Sequence, residues 1–343
     1  MIIVMRPDAT GDEVAQVVEK LQAFGADVHV STDEGRTVVN GTTEVRLVDE
    51  ALWDAFPGVD RVIPVMRGGR RVGRQYKSGD TVVTVGDVSI GDGALTVIAG
   101  PCAVESRDQL LAAAHAVKAA GAKILRGDAF KPRTSPYSFQ GLGKAGLEIM
   151  AEARLATGLP FVAEVLDPRS VDLVASYADM LRIGTRNMSN QALLREVGRQ
   201  ARPVQLKRGR AATVEEWVDA AEYIASEGNG DIVLVERGVR GFDSAVRNTL
   251  DISAVPLAKS LTHLPVMVDP SHSAGRKDLV APLARAAIAA GADGVMLDVH
   301  PAPAEALVDG PQALTPGEFS ELMNDLEAVA SSVGLVPTPD QAS

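Results

Sequence analysis

The chain has 343 residues, more than one typical domain requires, but enough for one large domain with a small companion. Hydrophobic residues make up 46%, charged residues 23% and aromatics only 4%, a balance that fits an α/β protein and excludes a chain disordered throughout. A formal charge of -11 opposes binding to nucleic acid, and no apolar run approaches the roughly 20 residues of a membrane span.

The apolar run Met1 to Met5 is too short for a signal peptide, so a cytoplasmic location is expected. Residues 2 to 5 read as a strand, and Thr10 with Glu13 forms a capping-box signature for a helix running to Phe24, where Gly25 ends it. Alternation through Asp27 to Ser31 and Thr37 to Arg46 predicts two more strands, Asp49 to Phe56 a short helix, and Val59 to Val65 a last strand. This βαββαβ order over residues 1–67 is that of a small ferredoxin-like α+β domain, serving either effector binding or association. Between Met66 and Gly79, Arg67, Arg70, Arg71, Arg74 and Lys77 lie among glycines and read as a linker. Thr81 to Val85 and Asp87 to Ile90 then predict a hairpin that plugs the bottom of the larger domain, so residues 68–91 form linker and hairpin.

From Ala94 the rhythm becomes strand, loop, helix, repeated eight times. Expected strands are Leu95 to Ala99, Lys123 to Arg126, Phe161 to Val165, Met180 to Ile183, Pro203 to Lys207, Asp231 to Glu236, Pro265 to Asp269 and Gly294 to Val299. Helical patterns such as Arg107 to Ala120, Val214 to Ser226, Asp278 to Ala290 and Pro316 to Ser332 alternate with them. The expected fold over residues 92–333 is therefore a (β/α)8 TIM barrel, with a frayed tail over 334–343. An open doubly wound sheet is the alternative, but no Gly-x-Gly-x-x-Gly comes after the first strand.

Barrels of this kind carry reactive groups at the carboxyl ends of their strands. Here those ends bear Cys102, Arg126, Glu164, Arg186, Lys207-Arg208, Glu236-Arg237, Asp269 to His272, and Asp298 to His300. The loop after the second strand adds Lys131 and Arg133, with Pro132 stiffening it between them. Arg126, Lys131, Arg133, Arg186, Lys207 and Arg237 suit phosphate and carboxylate groups, and so many cations imply more than one anion. Cys102, His272, Asp298 and Asp309 form a mixed thiolate, imidazole and carboxylate set able to ligate a divalent metal. Cys102 is the only cysteine, which excludes an internal disulfide and leaves structural, reactive and ligand roles open.

Six runs carry a family resemblance: Gly100-Pro-Cys-Ala-Val-Glu-Ser106, Leu125-Arg-Gly-Asp-Ala-Phe-Lys-Pro-Arg-Thr-Ser135, Ile183-Gly-Thr-Arg-Asn-Met188, Leu206-Lys-Arg-Gly209, Glu236-Arg-Gly238 and Val268-Asp-Pro-Ser-His-Ser273. Together they resemble the motifs of 3-deoxy-D-arabino-heptulosonate 7-phosphate (DAHP) synthase, in the branch with an N-terminal ferredoxin-like regulatory domain. The resemblance implies condensation of phosphoenolpyruvate with erythrose 4-phosphate and release of phosphate, the first step of the shikimate pathway to aromatic amino acids. The Lys131-Pro-Arg-Thr134 run favours erythrose 4-phosphate over the arabinose 5-phosphate of the sister 3-deoxy-octulosonate 8-phosphate synthases. A homologue that has lost catalysis and binds an effector is the other alternative.

Carried over by motif, Arg126, Arg186, Lys207 and Arg237 would hold phosphoenolpyruvate, while Lys131, Arg133 and Thr134 would receive erythrose 4-phosphate, and Glu164 completes the substrate set. Cys102, His272, Asp298 and Asp309 would bind a divalent ion, Mn2+ by preference, with Fe2+, Co2+, Zn2+ or Cd2+ as alternatives. Lys131, Cys102 and His272 would be the catalytic groups, Lys131 as proton donor to the forming alkoxide. The resemblance also implies a homotetramer and an aromatic amino acid as effector. One departure stands out: the family's Glu-Val-His reads Asp298-Val299-His300 in this chain.

Overall fold

The computed structural model describes residues 2–33, 36–42, 53, 56–63 and 70–336, which divide into one compact unit ending at Gly69 and a second beginning at Arg70. In the first unit, strands β1 (Ile2–Met5), β2 (Asp27–Asp33), β3 (Arg36–Thr42) and β4 (Val59–Ile63) form an antiparallel sheet in the order β2-β3-β1-β4. Helix α1 (Gly11–Ala23) starts at the expected capping box, with Thr10 Oγ1 accepting from the Glu13 amide, and buries Val17 and Leu21 against Ile3, Met5 and Val39. This is the ferredoxin-like arrangement. The helix expected over 49–56 lies outside the described residues, apart from Trp53 and Phe56; Trp53 is buried between Phe24 and Phe56.

The second unit opens with a hairpin of β5 (Val83–Val85) and β6 (Val88–Ile90). Its body is a closed barrel of eight parallel strands: β7 (Thr96–Gly100), β8 (Ile124–Arg126), β9 (Phe161–Val165), β10 (Met180–Ile183), β11 (Val204–Lys207), β12 (Ile232–Glu236), β13 (Val266–Val268) and β14 (Gly294–Asp298). Strands buried on both faces read as continuous apolar runs, and the apolar residues that point outward pack under the surrounding helices as one core. Inside, the amino-terminal half is filled by Ile98, Ile124, Val162, Met180, Val233, Val235, Met267 and Met296. The hairpin adds Val83, Val85 and Ile90 to this cluster and closes that end. With the bottom filled by hydrocarbon, polar groups on the strands gather at the carboxyl end.

Residues 70–79, expected as linker from their composition, are tied to the barrel instead. Arg70 pairs with Asp219, Arg71 donates to the Ala225 carbonyl, and Arg74 donates to the Lys259 carbonyl. Buried His263 joins this segment too: its Nε2 faces the Arg71 carbonyl at 2.7 Å and its Nδ1 faces Thr81 Oγ1 at 2.8 Å. The arginines that made the stretch look solvated are the groups that fasten it. Residues 64 and 65 of the expected last strand, 66–69 of the expected linker and 337–343 of the expected tail lie outside the described residues.

Candidate active site

The carboxyl end of the barrel opens into a cavity of about 600 Å³. Gly100 ends β7 at φ 149°, and a Cβ there would collide with the Arg126 carbonyl, so only glycine lets the chain turn this close toward Cys102. Cys102 is buried beside Asp309 and His272, the latter on the short helix Pro270–Ala274. Its sulfur lies 3.5 Å from His272 Nε2 and 3.2 Å from Asp309 Oδ2, and Asp309 Oδ2 lies 3.5 Å from His272 Nε2. Asp298, at the end of β14, completes the group: one donor atom from each of the four residues lies within 4.8 Å of the others.

Donor atoms bound to one ion at about 2.0–2.3 Å stand about 3–4 Å apart, so the three contacts among Cys102, His272 and Asp309 already match a coordination sphere. The imidazole is oriented for it. His272 Nδ1 faces Asp269 Oδ2 at 2.9 Å, which leaves Nε2 toward the other donors, the arrangement of a carboxylate-oriented histidine ligand. Asp309 has φ 55°, an uncommon backbone for a residue with a side chain, and Arg247 clamps its Oδ1 at 2.9 Å. Burial would push the Asp309 carboxyl up, but His272 and Arg247 hold it well below the usual carboxylate range. Burial would likewise raise the Cys102 thiol, yet Lys131, Arg126 and His272 outweigh it and bring it down to about 6. A thiolate, two carboxylates and an oriented imidazole thus meet at one point.

Around that point stand the cations. Arg126 is fully buried, with Nη1 donating to Asp298 and Nη2 to the Cys102 carbonyl and to Asp128. Lys131 donates to Asp128 at 2.7 Å, to the Cys102 carbonyl at 3.0 Å and to the Cys102 sulfur at 3.2 Å. Lys207 is clasped by Asp269 at 2.5 Å. Arg237, also buried, donates Nη2 to the His272 carbonyl and leaves Nε and Nη1 without a partner. Arg133 donates to the Phe139 carbonyl, and exposed Arg186 donates to Thr134 Oγ1 at 3.3 Å, so two loops meet at the cavity mouth. Glu164 lies below them, 3.8 Å from Arg182, and a Cβ on Gly184 would strike its carboxylate.

The site residues all fall within one of two stretches that the chain shares with known proteins. Residues 75–333 match the DAHP synthetase I family, and residues 1–67 match the DAHP synthase ferredoxin-like domain. The chain belongs to the DAHP synthetase I family. It is 46% identical over 335 residues to the phospho-2-dehydro-3-deoxyheptonate aldolase of Thermotoga maritima, covering 98% of this chain and 99% of that one. The crystal structure of the Thermotoga maritima phospho-2-dehydro-3-deoxyheptonate aldolase (DAHP synthase) superposes with a TM-score of 0.88 at 45% identity, covering 98% of this chain and 99% of that one. A 2-dehydro-3-deoxyphosphooctonate aldolase of Nitrobacter winogradskyi is more distant, at 33% identity over 274 residues, 74% of this chain and 94% of that one.

Within this DAHP synthase barrel, three polar groups at the strand ends face away from the cavity. Arg208 bridges Glu236 and Asp251, Glu236 also accepts from the Gly238 amide, and His300 turns toward Glu105 at 3.4 Å. Each pairs with a neighbour outside the cavity, which a count of polar residues at strand ends does not separate from a role in the cavity. Conversely, Asp128, Arg182, Arg210, Arg240, Arg247 and Asn248 line the cavity and were not singled out from the sequence. Arg182 carried a readable signal, a charge inside the strand Met-Leu-Arg-Ile where both faces are buried. Among the described residues no helix is long and apolar enough to cross a membrane.

Proposed function

We infer that the cavity at the carboxyl end of this barrel carries the reaction of its family, the condensation of phosphoenolpyruvate with erythrose 4-phosphate to DAHP with release of phosphate. The observation that carries the assignment of residues is Arg237: a buried guanidinium that lines a cavity among other cations, with Nε and Nη1 lacking a partner among the described residues, calls for an anion. Arg237, Arg186, Lys207 and Arg126 hold phosphoenolpyruvate, and Lys131, Arg133 and Thr134 receive erythrose 4-phosphate, with Glu164 at the floor between them.

Members of this family are metal-dependent, and Cys102, His272, Asp298 and Asp309 would hold the divalent ion, Mn2+ first among the candidates. When bound, such an ion acts as a Lewis acid that polarises the aldehyde of erythrose 4-phosphate. The residues of the chain do the rest. Carbon 3 of phosphoenolpyruvate attacks the aldehyde carbon, and the aldehyde oxygen takes a proton from Lys131, whose Nζ is 3.2 Å from the Cys102 sulfur. Water adds at carbon 2; as the carbon–oxygen bond to phosphate breaks and the ketone forms, one of its protons leaves on the inorganic phosphate and the other restores Lys131. Arg186 and Arg237 on one substrate and Arg133 and Thr134 on the other orient both in one cavity, which removes much of the entropic cost of a two-substrate step.

A homotetramer and a cytoplasmic location complete this reading, together with inhibition by an aromatic amino acid through residues 1–67, the part that matches the DAHP synthase ferredoxin-like domain. The test is an assay of phosphate release from phosphoenolpyruvate with each aldose. Release with erythrose 4-phosphate and none with arabinose 5-phosphate is expected; the reverse preference would overturn the substrate assignment.

A further inference from the structure

Asp128 stands two residues after Arg126, fully buried at the floor of the cavity. Its two oxygens take three cations. Oδ2 accepts from Lys131 Nζ at 2.7 Å and from Arg126 Nη2 at 3.2 Å, and Oδ1 accepts from Arg182. Two guanidiniums and an ammonium around one carboxylate form the site that a carboxylate ligand would be offered. The other buried acids here have further duties. Asp269 holds Lys207 and orients His272, and Asp298 belongs to the donor cluster. Asp128 meets cations alone.

We propose that Asp128 is an internal counter-anion that competes with incoming phosphoenolpyruvate for Arg126, positioning Arg126 and Lys131 in the free protein and setting the affinity for that substrate. The inference rests on the substrate assignment given above. Its physical content is a pair of effects with opposite sign. Removing the Asp128 charge leaves Arg126, Lys131 and Arg182 short of counter-charge in a buried setting, which destabilises the free protein. The same excess of positive charge attracts a carboxylate or phosphate more strongly. A carboxylate with a purely structural role would weaken both stability and binding when lost.

The experiment compares Asp128→Asn, Asp128→Gly and Arg237→Ala with the parent, as full-length metal-loaded proteins. Kinetics give KM and kcat for phosphoenolpyruvate, calorimetry gives its Kd, and melting is followed with and without it. Asp128→Asn is nearly isosteric and keeps an acceptor for Lys131, while Asp128→Gly serves if the amide does not fold. The expected result is a KM and Kd lower by at least about fivefold. The change in kcat stays below about threefold. The free protein melts lower, and phosphoenolpyruvate restores it. An unchanged or raised Kd in both Asp128 variants overturns the proposal. Arg237→Ala separates the two levels: if it binds phosphoenolpyruvate like the parent, the substrate assignment itself is wrong; if it loses binding while Asp128→Asn binds like the parent, only the role of Asp128 is.

Discussion

Gln312 donates from Nε2 to Asp298 Oδ2 at 2.7 Å while Arg126 donates to Oδ1, so each oxygen of the carboxylate ending β14 is held by a different neighbour. The Gln312 side chain is buried and its own Oε1 has no partner, so its amide is committed to Asp298. Groups that orient a ligand in this way are worth about 10–100-fold in metal affinity. Gln312→Ala is expected to weaken Mn2+ binding within that range, measured as free Mn2+ by electron paramagnetic resonance during titration of the apo protein. Parent-like affinity would mean that the Asp298 carboxylate needs no orientation by Gln312.

Arg237 offers the cleanest test of the substrate site. Its Nε and Nη1 have no partner in the free protein, so Arg237→Ala removes donors without orphaning an acid. Charged hydrogen bonds of this kind contribute about 1.5–3 kcal/mol each. Losing two predicts a fall in kcat/KM of roughly 10²-fold or more, with melting temperature unchanged or slightly raised. Arg126→Ala is a poor substitute. It would leave Asp298 and Asp128 as buried acids short of a partner, a loss of about 3–5 kcal/mol of stability that would confuse the reading of activity.

Lys207 gives substrate binding a pH dependence. Burial lowers its ammonium, Asp269 opposes that, and Arg182 and Arg126 lower it further, to about 7. An anion bound beside it raises it again. Below pH 7 the free protein already carries this proton, and affinity for phosphoenolpyruvate is insensitive to it. Above pH 7 the proton must be taken up on binding, so affinity falls as pH rises toward the pKa of the bound state. Calorimetry at pH 8 in buffers of different ionisation enthalpy should show net proton uptake with the parent and a smaller uptake with Lys207→Arg. Equal uptake by both proteins would assign the proton to another group.

The barrel was legible because its signals are local. The capping boxes at Thr213 and Thr315 start helices at Val214 and Pro316, as read from the sequence, and the strand expected over 203–207 begins one residue later, at Val204. The donor cluster was legible for another reason: Cys102, His272 and Asp298 fall at or just past strand ends and Asp309 in the loop after the last strand, and a barrel brings all such ends to one face. Asp128 and Arg182 were not. They are 54 residues apart in the chain, and a buried acid in Gly-Asp-Ala looks like an ordinary turn residue until the pairing is seen. Arg70, Arg71 and Arg74 misled in the opposite direction, because composition records charge and not the carbonyls and Asp219 that meet it.

The first unit has its own sheet and its own core, including Ile3, Met5, Val17, Leu21, Val39 and Trp53, and the division falls at Gly69 and Arg70. A chain beginning at Arg70 keeps the fastening of residues 70–79 and the hairpin plug. It is expected to fold and to turn over substrate. Tyrosine or phenylalanine should inhibit the full chain and not the shortened one, measured as phosphate release at fixed substrate. Equal inhibition of both would place the effector site in the barrel.

Asp298 is one methylene shorter than the glutamate expected in its Glu-Val-His context, a difference of about 1.5 Å. Its Oδ2 lies 3.6 Å from His272 Nδ1, and both of its oxygens already accept hydrogen bonds, from Arg126 and Gln312. The shorter side chain reaches less far into the cluster, so its metal contact should be the weakest of the four. Asp298→Glu is therefore expected to tighten Mn2+ binding, and Asp298→Ala to weaken it. Cys102 supplies a readout independent of turnover: a sulfur bound to metal is shielded from alkylation, so iodoacetamide labelling of Cys102 against Mn2+ concentration reports occupancy. The Glu variant should be protected at lower Mn2+ than the parent, and the Ala variant only at higher Mn2+. If Asp298→Ala shows the parent's protection curve, Asp298 is no ligand, and Cys102, His272 and Asp309 hold the ion without it.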